Sequence, residues 1–127
     1  MNIQERTEFV GDNMPDGGAL AARTIIARIA NLFPSDARFL VGGIDGDLVI
    51  TIGWHLHDDP ERPNKPSRKI NLRLDESALD EYLAGESQLT AAVDAVAEFV
   101  AVKLQTFDPN HDVPAHSTPP AETWRAS

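Results

Sequence analysis

ARFLVGGIDGDLVITIGWHLH, residues 37–57, consists of two alternating runs meeting at Asp45-Gly46. The favoured two-residue hairpin turn needs positive φ at both central positions, which aspartate tolerates and glycine adopts freely. A turn at this point fixes the register: Ile44 opposes Asp47, Val41 opposes Ile50, Phe39 opposes Ile52 and Ala37 opposes Trp54. Opposed residues share a face and successive residues alternate, so Phe39, Val41, Leu48, Ile50, Ile52, Trp54 and Leu56 gather on one side. The turn chemistry and the apolar alternation are independent signals, and they agree.

Elements on either side extend the pattern. Upstream, from Ala19, the apolar residues Ala22, Ile25, Ile26, Ile29, Leu32 and Phe33 recur at helical spacing until Pro34 stops the helix. Downstream, RKINLRLD alternates Ile70, Leu72 and Leu74 against Lys69, Asn71 and Arg73, a third strand. Asp75 or Ser77 then caps a short helix through Leu83, with Gly85 suited to its end. Ser87 or Thr90 opens a longer helix carrying Leu89, Val93, Val96, Val100 and Leu104. The expected fold is α+β in the order α-β-β-β-α-α, a three-stranded antiparallel sheet with its helices on one face. Around it the sequence predicts a flexible arm over 1–18, a single domain over 19–106, and an extended Pro-rich C-terminal tail over 107–127. Within that tail Trp124 reads as an anchor, packing on its own domain or on a second copy.

Composition narrows the class. The 127 residues carry 11 basic and 20 acidic side chains, a formal charge of −9, and no cysteine. One domain is expected, without disulfides or thiolate metal sites. No apolar stretch is long enough to cross a bilayer, and MNIQERTEF lacks the basic start and apolar run of a secretion signal, so the expected address is cytoplasmic. Residues 62–73 hold Arg62, Lys65, Arg68, Lys69 and Arg73 with no acid among them. Such a strip either neutralises acids of its own chain or forms a contact surface.

The register places Arg38, Leu40, Thr51, His55, His57, Lys69, Asn71 and Arg73 on the sheet face opposite the apolar set. Arg38, His55, His57, Lys69 and Arg73 of this face, with Arg62, Lys65 and Arg68 of the following loop, form the candidate contact surface. His55 and His57 project the same way and, with Asp59 and His111 or His116, make an alternative divalent metal site. HLHDD resembles part of the HxHxDH motif of metallo-β-lactamase-like hydrolases, but Pro60 stands where the second-metal histidine belongs. GGIDGD joins two strands, so it is not a phosphate loop, and no nucleophile elbow surrounds any serine. The order helix, three strands, helix is similar to that of double-stranded RNA-binding domains. The helices that would carry their lysines begin DESALDEY and SQLTAAVD, so the similarity implies element order and not RNA binding.

The expectation is therefore a small acidic non-enzymatic protein without cofactor that works by binding another protein. It would be a homodimer and a regulatory or accessory factor of bacterial or phage type, its anionic helices able to mimic nucleic acid. An anionic ligand or nucleic acid held by the strip 62–73 is the alternative, although the net charge disfavours nucleic acid generally.

Overall fold

The computed structural model describes residues 5–10, 14–56, 66–109 and 121–126. In chain order the elements are β1 (Thr7–Phe9), α1 (Gly18–Ile29) running into a 3-10 turn (Ala30–Leu32), β2 (Arg38–Ile44), β3 (Asp47–Gly53), β4 (Ile70–Leu74), α2 (Glu76–Tyr82), α3 (Glu86–Leu104) and β5 (Glu122–Ala126). They make an α+β protein whose five strands lie side by side in sequence order.

The central hairpin is built by its turn. Asp45 has φ 52° and Gly46 φ 86°, both in the left-handed region. The ladder pairs Ile44 with Asp47, Val41 with Ile50 and Phe39 with Ile52, the register that the turn dictates. β4 continues it, pairing Ile50 with Leu72 and Ile52 with Ile70 in antiparallel sense. Phe39, Val41, Leu48, Ile50, Ile52, Ile70, Leu72 and Leu74 are wholly buried, and they share one core with Ile25 and Ile29 of α1 and Val96 and Val100 of α3.

The expected three-stranded antiparallel sheet is corrected at both edges, where the sheet is mixed. β1 pairs with β2, and β5 with β4, both in parallel. β1 lies inside the stretch expected to be a flexible arm. It is held by Arg6, whose carbonyl accepts the Phe39 N–H at 2.8 Å and whose Nη1 donates to the Ser35 carbonyl at 2.7 Å. β5 lies inside the tail and seats Trp124, 2% exposed, and Ala126 in the core of the same chain. Its neighbours are aromatic: Phe107 meets Trp124 edge-on at 5.6 Å and Trp54 at 6.1 Å, and Trp54 meets Phe33 at 5.7 Å. Both edge strands pair across an intervening helical segment, so no turn signature marks them in the sequence.

α2 starts where expected, after Asp75, whereas α3 starts earlier than expected. Asp75 occupies the cap position of α2 without a side-chain capping bond, and the Glu76 N–H is instead accepted by Asp47 Oδ1 at 2.9 Å. α3 begins at Glu86, directly after Gly85, earlier than Ser87 or Thr90.

Topology explains why every helix covers the same side. β1, β2, β4 and β5 run in one direction and β3 opposes them. Both crossovers, β1 to β2 through α1 and β4 to β5 through α2 and α3, therefore step the same way across the sheet. Right-handed crossovers of one direction and one sense of travel place their helices on one face. Among the described residues the opposite face carries no helix.

Candidate functional site

The open face is a grid fixed by the pairings. One row runs Arg38, Gly53 and then Lys69, which precedes β4. The next carries Leu40, Thr51, Asn71 and Thr123, and the third Gly42, Val49, Arg73 and Arg125. Arg125 joins the face because β5 completes the sheet, pairing it with Arg73.

Each cation has a distinct environment. Arg73 donates to Asp47 Oδ2 through Nε and Nη2, both at 2.8 Å, in a pair mostly withdrawn from solvent. The Arg73 hydrogen bond, with the Glu76 N–H second, holds the Asp47 carboxyl below its ordinary value. Arg125 approaches Asp75 at 3.8 Å, and Arg68 lies 3.5 Å from Glu122 on β5. Arg68 and Arg73 thus neutralise acids of their own chain. Arg38 and Lys69, both exposed, carry no ion pair among the described residues.

Between these two cations is a depression of about 250 Å³, floored by Leu40, Thr51 and Gly53. Its end wall is fastened by a reciprocal pair: the Trp54 N–H donates to Ser67 Oγ at 3.0 Å, and the Ser67 N–H donates to the Trp54 carbonyl at 2.8 Å. At the rim the His55 N–H donates to Asp36 Oδ2 at 3.0 Å, and the imidazole Nδ1 stands 3.8 Å from the same oxygen. On the floor the Thr51 hydroxyl donates to Asn71 Oδ1 at 2.9 Å, so both side chains are already engaged. A guanidinium and an ammonium flanking a neutral, internally bonded floor form an anion-attracting surface. A second depression, about 300 Å³, lies between α1 and α3, but its cation Arg28 is bonded to Asp94 at 3.3 Å.

Of the candidate residues, Arg38, His55, Lys69 and Arg73 come together on or beside the open face. Arg68 turns to the tail strand, and Trp124 belongs to the core. His57, Asp59, Arg62, Lys65, His111 and His116 lie outside the described residues, and with them most of the alternative metal site. Among the described residues no group of three or more His, Asp or Glu side chains is arranged to hold a metal ion. Nor is any described helix long and apolar enough to cross a membrane. Comparison with known proteins finds no matching family model, no matching curated protein and no matching solved structure. What fold and face define is a class: an acidic α+β protein with its described helices on one side of a mixed sheet and a cation-bearing face on the other.

Proposed function

We propose that this chain is a small non-enzymatic protein that binds another protein, and that the open sheet face is the surface it uses. The observation that carries this reading is the unbalanced charge of that face. In a molecule of net charge −9, Arg38 and Lys69 stand there without an ion pair among the described residues, although Asp36 lines the same depression. Exposed charges arranged in this way set association rate and partner choice more than they add affinity. The strip 62–73 is less suited to nucleic acid, because two of its described cations, Arg68 and Arg73, are already paired with carboxylates.

The test compares tagged wild-type protein with the double variant Arg38→Glu and Lys69→Glu in affinity capture from the native host. A partner retained by the wild type and lost from the variant is the expected result. Identical capture by the two, or no capture by either, overturns the proposal.

A further inference from the structure

The described basic residues other than Arg38 and Lys69 each have an identifiable task. Arg28, Arg68, Arg73 and Arg125 meet carboxylates, Arg6 bonds a carbonyl, and Arg23 and Lys103 lie over the rings of Phe9 and Phe99. The two remaining cations are not scattered. Arg38 and Gly53 are register partners, and Lys69 flanks Gly53 from the other side, so two cations face each other across a residue without a side chain. With strands about 4.8 Å apart, their Cα atoms are separated by roughly 10 Å. A Cβ added at Gly53 would lie 3.4 Å from Lys69 Cγ, so the lysine stem leans along the gap that the glycine leaves.

We infer that Arg38 and Lys69 form a two-pronged seat for a single carboxylate, supplied by an aspartate or glutamate side chain on an extended segment of a protein partner, with Gly53 as the gap it enters. This inference rests on the docking reading above and names what that surface recognises. Charge complementarity selects the occupant. An anion over Gly53 meets both cations, while the next row across the sheet, Leu40, Thr51 and Asn71, is uncharged. Arg73 and Arg125 beyond it are already neutralised. On the opposite rim Asp36 repels a second negative charge. The face thus fits one carboxylate, with an uncharged row on one side and Asp36 on the other. A nucleic acid, whose backbone repeats its charge, needs several free cations in a line. The uncharged floor suits the methylene groups of a glutamate stem.

The experiment uses the full ¹⁵N-labelled chain at low salt, titrated with the N-acetylated, C-amidated peptide Gly-Thr-Glu-Thr-Gly. Its counterpart with glutamine in place of glutamate, and inorganic phosphate, serve as controls. Saturable shifts of the Gly53, Trp54 and Lys69 amides with the glutamate peptide alone are expected. They should fade toward 1 M salt, where screening acts within about 3 Å. In the double variant Arg38→Gln and Lys69→Gln the binding should weaken about tenfold, two exposed ion pairs' worth, while Arg28→Gln leaves it unchanged. Gly53→Ala, which needs no positive φ and whose Cβ has only the Lys69 stem and Ser67 Oγ as its three nearest atoms, should narrow the gap and weaken the shifts in a spectrum that remains dispersed.

No response beyond that of the glutamine peptide, or shifts indifferent to Arg38→Gln and Lys69→Gln, overturns the seat. An equal response to phosphate overturns the peptide as its occupant. A seat that fails while the capture experiment still loses its partner leaves the docking surface standing. Peptide binding combined with unchanged capture supports the seat and overturns the docking reading.

Discussion

Replacing Trp124 with alanine tests whether the last strand is an integral part of the fold. The indole is 2% exposed and lies opposite Leu72 of β4 in the parallel register. A buried aromatic ring of this class removes roughly 200 Å² from water, which at about 25 cal/mol per Å² is an upper value near 5 kcal/mol. Phe107 adds an edge-to-face contact at 5.6 Å, and the indole Nε1 donates to Glu122 Oε1 at 3.0 Å. Large-to-small core changes of this type cost about 3 to 5 kcal/mol. That is a large part of the 5 to 15 kcal/mol by which domains are stable.

With an m-value of about 1.5 kcal/mol per M, the urea midpoint followed by far-UV circular dichroism should fall by roughly 2 to 3 M. Trp124→Phe keeps a ring against Phe107 and loses the Glu122 bond and some volume, so about 1 to 2 kcal/mol is expected. Because the strand packs on its own chain, the wild-type midpoint should be independent of protein concentration. A shift below about 0.5 M for Trp124→Ala would refute the packing argument. A midpoint that rises with concentration would place the indole in another copy.

Two further substitutions probe the hairpin. Asp47→Asn should lower the unfolding midpoint at neutral pH, since Asp47 joins Arg73 to the start of α2. Because its folded pKa is lowered, the stabilisation in the wild type is complete above the ordinary aspartate value of about 3.9 and fades as pH falls through the lower folded value. The variant's stability profile should be flatter in that acid range, and identical profiles would contradict the assignment. Gly46→Ala forces a Cβ onto φ 86°, at a cost of about 1 to 2 kcal/mol measured by thermal or urea unfolding. The 2.6 Å approach of that Cβ to Glu76 Oε2 adds little, because the carboxylate is the mobile end of a side chain. Gly46→Asn should cost distinctly less, since asparagine enters the left-handed region more readily.

The centre of the sheet was legible because a turn requiring two positive φ values and an alternating apolar run constrain the same register independently. Phe39 opposite Ile52 follows from either signal. The edges lacked any such marker. Thr7–Phe9 is only three residues long, and Glu122–Ala126 follows a Pro-rich stretch that points to an irregular tail. Parallel partners are joined through helices, so the sequence between them describes the helix and not the pairing. The site was legible in the same uneven way. Arg38, Lys69 and Arg73 share a face by parity alone, but their different charge states depend on where distant carboxylates land. Asp47 reaches Arg73 from the neighbouring strand, and Asp75 reaches Arg125 from the start of α2. Gly53 gave no sign of its importance, because its meaning comes from the two cations beside it.

Topology and charge converge on one surface. Had the second crossover stepped back across the sheet, its helices would have covered the other side and buried the row Arg38, Gly53, Lys69. Because β3 alone runs against the rest, the two crossovers share a direction and that row stays open. A chain with 20 acids and 11 bases has more than enough carboxylate to pair every cation. Most described cations do find a carboxylate, a carbonyl or a ring. Two that find none among the described residues, and that flank the same glycine, leave the charge of this face unbalanced within the described chain. In the proposed seat one acidic side chain arriving from outside meets both cations, offsetting part of that excess with strong dependence on salt.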